Sequence, residues 1–403
     1  MGHLQRRMPR WSDVSQFVAP ALKGATGGAL GRLRTTADFE RLAARRTPRA
    51  VFEYVSGGAE REIALRRGRQ AFETVEFRPR VLVDVAHVDT RTTVLGREVA
   101  FPVVLGPTGF TRMMRVEGEP AVARPAACAG VPYTLSTMGT TSIEDLAAQA
   151  PGGEHWFQLY LWRDRGRSQD LLDRARASGF RTLVLTVDVP VAGARLRDAY
   201  NGLTIPPRLT PRTLLDMGRH PRWVFDALTT QPLSFASLGT SDTLEQVINT
   251  VFDPSATLDD IGWLRSRWDG PVVVKGLQRV DDAKAAVAAG ADAIVVSNHG
   301  GRQLDRAPTP LRLLPEVADA LGDHAEVYLD GGVRCGADVA AAVALGARAV
   351  FVARPYLYAL MAAGEAGVDR LLALFREDYV RTLRLLGVTS TAQLDRDLVR
   401  LLP

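Results

Sequence analysis

Eight short apolar runs punctuate the chain: FPVVLGP (101–107), VPYTLS (131–136), HWFQLY (155–160), TLVLTVD (182–188), PVVVKG (271–276), AIVVSNHG (293–300), AEVYLDGG (325–332) and AVFVAR (349–354). Between them lie Ala-rich stretches of helical pattern, such as GEPAVARPAACAG, SIEDLAAQ, SQDLLDRARASG, DDAKAAVAAG and GADVAAAVALG. Several of these end on glycine, as helix C-termini do. Strand alternating with helix implies parallel strands joined by crossovers. Eight such units predict an α/β fold of the closed (β/α)8 TIM-barrel kind. An open doubly wound sheet is the rival, but no G-x-G-x-x-G follows the first strand. The rhythm breaks once, over more than 80 residues at 189–270, between the fourth and fifth runs. An insertion of that length predicts a lid over the barrel mouth. Its stretch WVFDALTTQPLSFASLG (223–239) carries aromatics that fit a lid packed on its own apolar side chains better than a membrane-surface helix, because the amphipathicity is weak.

Composition leaves this picture intact. The 403 residues are 46% apolar and 24% charged, with a net charge of +5 spread along the chain, which gives no nucleic-acid stripe. Two distant cysteines, Cys128 and Cys335, offer neither a disulfide framework nor zinc spacing, so a reducing cytoplasm is the expected setting and no metal is expected. No run of about 18 apolar residues predicts a spanning helix. The N-terminus lacks the apolar core of a secretory signal. Residues 1–34, rich in Gly and Arg, read as a loosely ordered extension before one catalytic unit over 35–403.

Chemistry concentrates at the strand ends, where barrels of this kind place their sites. The first run ends in Pro107, Thr108 and Gly109, and the second in Ser136. The third ends in Gln158 and Tyr160, the fourth in Thr186 and Asp188, and the fifth in Lys275. The sixth ends in Ser297 and His299, the seventh in Asp330, Gly331, Gly332 and then Arg334, and the eighth in Arg354. Three tips carry polar pairs at i and i+2, which strand alternation puts on one face. Single polar tips are explained by helix capping. Tips carrying Lys, His, Asp, Arg, Gln and Tyr together are not, since buried charge is costly unless paired or bound to something. DGGVR followed by Arg354 points to a phosphate at the seventh and eighth tips. Of six histidines, His3, His87, His155, His220 and His324 read as structural. His299, two residues after a serine and three before Arg302, reads as catalytic.

The run SNHGGRQLD (297–305), with FEYVSGGAE, PTGF, FQLY, LTVDVP, VVKG and LDGGVR, resembles the FMN-dependent L-2-hydroxy acid oxidases and dehydrogenases over about 35–403. Within that family, RRTPRAVFEY, WFQLYLWRDR and TVDVPVAGARLRD are most similar to the actinobacterial quinone-linked L-lactate dehydrogenases. The resemblance implies FMN on Pro107, Thr108, Gly109, Ser136, Gln158, Thr186, Lys275, Ser297, Asp330, Gly331, Gly332, Arg334, Ala353 and Arg354. It implies substrate and catalysis at Tyr54, Tyr160, Asp188, Arg195, His299 and Arg302. His299 would be the general base, Asp188 its support, the arginines the carboxylate grip, and Lys275 the support of reduced flavin. The implied reaction is oxidation of an L-2-hydroxy acid, L-lactate first, with electrons passed to a quinone. Alternatives are an oxygen-using oxidase, a biosynthetic oxidase of a mandelate-like or peptide substrate, and a non-catalytic flavin- or phosphate-binding module. Three departures stand out: Met138 where some members carry a substrate-facing Trp, Gly109 where oxidases commonly carry Ala, and Ala353 in place of Gly. The family habit is a tetramer in the cytoplasm, with a peripheral membrane contact through 189–270 left open.

Overall fold

A computed structural model describes residues 29–202, 210–238 and 251–403. All eight expected runs form strands: β1 Val103–Leu105, β2 Tyr133–Ser136, β3 His155–Leu159, β4 Thr182–Thr186, β5 Val272–Leu277, β6 Ala293–Val296, β7 Glu326–Asp330 and β8 Ala349–Val352. Each pairs in parallel with its chain neighbour, and β8 pairs with β1, which closes the barrel. The architecture is a TIM barrel and not the open sheet.

Alternation along the strands sorts the side chains into two cores. Val104, Trp156, Val184, Val273, Val295, Tyr328 and Phe351 form a buried cluster inside the barrel. Their chain neighbours, such as Val103, Leu105, Phe157, Leu183, Val274, Ile294 and Leu329, belong to the larger core under the helices. The N-terminal end of the barrel is plugged by a short antiparallel ribbon, Thr92–Val94 with Arg97–Val99. Its Val94 and Val99 join the inner cluster. With that end filled by apolar bulk, the next interior positions on β3 to β7 are the polar Gln158, Thr186, Lys275, Ser297 and Asp330, towards the opposite mouth.

Three elements outside the barrel bring side chains to that mouth. The helix Arg49–Ser56 follows Pro48, stops at Gly57 and carries Tyr54. The helix Leu196–Tyr200 starts directly after Arg195. The long helix Arg354–Leu386 starts where β8 ends and breaks at Ala363–Gly364. Residues 1–28 of the expected extension lie outside the described residues. Its end forms a 3-10 turn, Ala29–Arg32, and Leu33 is buried in the core. The expected lid is described in part. It contains the helices Pro211–Gly218 and Pro221–Thr229, while Asp259–Arg265 packs Ile261 and Leu264 into the core ahead of β5. Phe235 packs on the barrel as well: it is buried, with its ring 4.7 Å from that of Phe110 in the loop after β1.

Candidate active site

The barrel mouth opens into a cavity of about 580 Å³. Tyr54, Pro107, Thr108, Gly109, Ser136, Met138, Tyr160, Arg195, Lys275, His299, Arg302, Asp330, Gly331, Gly332, Arg334, Ala353 and Arg354 all line it. Gln158, Thr186, Asp188 and Ser297 are absent from that lining and support it from behind.

One group of polar side chains is locked together. Lys275 Nζ lies 2.6 Å from Asp330 Oδ2 and donates to Ser297 Oγ at 3.0 Å. Ser297 in turn donates to Asp330 at 2.7 Å. Burial alone would lower the Lys275 pKa, but Asp330 and then Asp188 outweigh it and hold the ammonium above its usual value. Burial would raise Asp330, yet the same lysine holds it below the carboxylate range. Both directions describe an ion pair that stays charged.

A second group is left half-satisfied. Gln158 accepts from Ser136 Oγ at 2.9 Å and from the Thr137 N–H through its amide oxygen. Its Nε2 has no partner, and neither does Thr186 Oγ1, though both atoms are buried. A buried polar atom without a partner is a place where a ligand group can bond. A flavin pyrimidine edge, with two carbonyls and an N–H, answers these donors and the adjacent ammonium. The far end of the cavity suits a phosphate. Gly331 and Gly332 hold φ of 107° and 85°, and the helix Arg354–Leu386 points its N-terminus at the cavity. Ala353 has φ −124°, so its Cβ costs nothing there. Arg354 spends three N–H groups on the carbonyls of Val55, Gly300 and Gly57, each at 2.9 Å, and two remain.

The third group surrounds His299. Its Nδ1 sits 2.9 Å from Asp188 Oδ1, and the Asp188 side chain is 3% exposed. The histidine backbone lies at φ +55°, a conformation that costs about 1–3 kcal/mol and tends to persist at functional sites. Gly301 follows at φ +73°, and a Cβ on it would come within 2.5 Å of Leu65 N. The chain can therefore fold back there only as glycine, and that fold aims Arg302 at the mouth. Arg302 donates to the Tyr54 carbonyl at 2.6 Å and to Gly57 at 3.1 Å, with its guanidinium 4.9 Å from the centre of the Tyr54 ring. Arg195 lies 5.7 Å from the same ring, and its buried Nε has no partner. Burial, with Arg195 and Arg354 adding, pushes Arg302 down to about 9, and burial pushes Arg354 down to about 10. Both remain cationic at neutral pH. Burial, and then Asp188, raises the Tyr160 hydroxyl well above its usual value, so it stays a donor.

Sequence reasoning passed over several cavity residues. Phe110, Phe252 and Leu233 form an apolar wall, with the Tyr160 and Phe252 rings 5.1 Å apart. Asp198 also faces the cavity, raised to about 6 by burial against the pull of Arg302 and Arg195. Asp198 stands three residues after Arg195, inside the short helix that Arg195 precedes, and that spacing was the available signal. Among the described residues, no three His, Cys, Asp or Glu side chains converge to hold a metal ion.

An orphaned set of flavin-edge donors, a phosphate-sized cradle, a carboxylate-steadied histidine and converging arginines define a flavin-dependent barrel oxidoreductase for an anionic substrate. A profile of the FMN-dependent dehydrogenase family matches residues 43–401, and the chain belongs to that family, with FMN as its cofactor. It is 53% identical over 395 residues to a putative L-lactate dehydrogenase of Mycobacterium tuberculosis, covering 97% of this chain and 95% of the other. It is 43% identical over 373 residues to an L-lactate dehydrogenase of Caulobacter vibrioides, covering 91% and 97%. Among solved structures it resembles (S)-mandelate dehydrogenase, described as a monotopic membrane protein, at 38% identity and TM-score 0.89, over 92% of this chain and 100% of that one. A mandelate oxidase matches at 40% identity and TM-score 0.78, over 91% and 98%.

Proposed function

We propose that this enzyme oxidises L-lactate to pyruvate and delivers the electrons to a quinone. The observation that carries the reading is His299, steadied by Asp188 and facing a cavity whose unanswered charges are arginines. With Nδ1–H donated to Asp188, the neutral ring presents the Nε2 lone pair as a base. Arg302 and Arg195 grip the substrate carboxylate, and Tyr54 and Tyr160 offer hydroxyls to the carboxylate and the substrate oxygen. His299 takes the hydroxyl proton, and the imidazolium that results is answered by the buried Asp188 carboxylate. Gln158, Thr186 and Lys275 would hold the flavin pyrimidine. Pro107, Thr108, Gly109 and Ser136 would hold the ring, Ser297 and Asp330 would fix Lys275, and Gly331, Gly332, Arg334, Ala353 and Arg354 would hold the phosphate. FMN, when bound, supplies the two-electron acceptor.

His299→Gln should keep FMN and lose anaerobic flavin bleaching by lactate. Fast bleaching in that variant would refute the base assignment. For the acceptor, lactate-reduced enzyme should reoxidise faster with a soluble quinone analogue than in air. The exposed Leu214, Leu215, Phe225 and Leu228 of the lid helices favour a site near a membrane, where quinones reside, and no helix among the described residues is long and apolar enough to cross one.

A larger acid is the second reading. The wall of Phe110, Phe252, Leu233 and Met138 favours a mandelate-like side chain over a methyl group. Stopped-flow bleaching with lactate and mandelate side by side ranks the two.

A further inference from the structure

We propose that a second pocket, on the flank of the active-site cavity, binds a phosphate-type anion carried on an apolar body. The pocket has a volume of about 480 Å³ and is lined by Arg45, Arg46, Arg112, Arg115, Arg219 and Arg222. These arginines come from separate places in the chain: the end of the helix Thr36–Arg46, the segment around Thr111–Met114, and the lid near Pro221–Thr229. The balancing charge is scarce. Arg115 pairs with Glu117 at 2.7 Å, and Asp226 is the only carboxylate among the described lining residues. Six guanidinium groups less two carboxylates leave four positive charges unanswered. Arg46 donates to the Ala362 carbonyl and Arg112 to that of Gln231, neither of which carries a charge. The side chains of Arg45, Arg219 and Arg222 have no hydrogen-bond or ion-pair partner among the described residues.

Helix polarity accounts for Arg45 and Arg46, which lie in a last turn. Arg112 also lies in a last turn and Arg219 caps the C-terminus of Pro211–Gly218, but polarity disfavours Arg222, in the first turn of Pro221–Thr229, and does not explain why all six face one concavity. Gathering like charges around one concavity is unfavourable until an anion with several oxygens enters, and guanidinium forks match phosphate geometry. A space of about 480 Å³ is more than one phosphate fills. Met114, Trp223 and Met361 line the remainder, so the ligand has an apolar part. Met113 and Leu233 line both this pocket and the active-site cavity, and Trp223 Nε1 donates to the Met113 carbonyl at 3.0 Å. The two sites share a wall. A phosphorylated soluble molecule and an acidic lipid head group share the required chemistry.

Titration of the FMN-loaded enzyme with inorganic pyrophosphate tests the proposal. Saturable binding is expected, weakened about tenfold or more for each arginine whose charge is reversed. Arg219→Glu with Arg222→Glu is the first variant and Arg45→Glu, on another element, the second. Both sit on exposed positions, and bound flavin reports that each stays folded. No saturable binding to the parent enzyme, or equal binding to both variants, overturns the proposal. Co-flotation with phosphatidylcholine vesicles containing phosphatidylglycerol, but not with phosphatidylcholine alone, and release by pyrophosphate identify a lipid head group as the source. Saturable pyrophosphate binding without co-flotation identifies a soluble phosphate ligand and supports the proposal equally.

Discussion

Replacing Lys275 by Met removes one partner of a buried ion pair and leaves the other in place. Lys275 and Asp330 side chains are 5% and 12% exposed, with Nζ and Oδ2 2.6 Å apart. At an effective dielectric of about 20, that separation corresponds to a gross attraction of ~6 kcal/mol. Desolvation cancels much of this in the intact pair. Removing one member still costs about 3–5 kcal/mol, because among the described residues the remaining charge keeps one hydrogen bond, from Ser297, to satisfy it. Urea unfolding of the FMN-free variant, followed by far-UV circular dichroism, reads the loss at neutral pH. The pH dependence supplies the sharper check. In the parent protein Asp330 is held below its unfolded value, so its contribution is present above the unfolded carboxylate pKa and disappears as pH falls through the folded one. Without Lys275, burial raises the same carboxyl above its unfolded value. The variant then gains stability as pH falls, and its deficit is smaller at mildly acidic pH than at neutral pH. Adding Asp330→Asn should recover most of the loss. A deficit below about 1 kcal/mol, or one equal at both pH values, refutes the assignment of this pair as a charged unit.

Gly109→Ala places a Cβ 2.9 Å from Met138 Cβ and should cost about 1–3 kcal/mol; Met138→Gly should relieve this in a double-mutant cycle and Met138→Ala should not. Asp198, raised to about 6, loses its charge as pH falls through that value, which leaves Arg195 and Arg302 less compensated; KM for lactate should fall with it, and Asp198→Asn should flatten this limb of the profile. Arg302→Lys keeps the charge but loses the planar fork, so KM should rise by about tenfold or more in steady-state assays.

Strand positions were legible because strands of a parallel barrel are buried on both faces and read as apolar runs. The paired polar tips were legible for the same reason: alternation fixes which side of Gln158, Thr186 and Ser297 faces inward once Trp156, Val184 and Val295 are known to fill the interior. The plug at 92–99 was not, since a three-residue pairing across Leu95–Gly96 leaves little periodicity to detect. Nor did any local pattern announce that Arg354 would bridge Val55, Gly57 and Gly300, because those carbonyls come from segments some 300 and 50 residues away. Tyr54 and Arg195 lie outside the strands, and only the family resemblance pointed to them. Asp188 and His299 are 111 residues apart, so their contact required the closed barrel.

The plugged floor bears on kinetics. Trp156, Tyr328 and Phe351, with Val94 and Val99 beneath them, seal one end of the barrel. The 2-hydroxy acid and its 2-oxo product then use the opposite mouth of the barrel. With product release ahead of acceptor entry by the same mouth, initial-rate plots at several fixed acceptor concentrations should be parallel lines, the pattern of a ping-pong cycle.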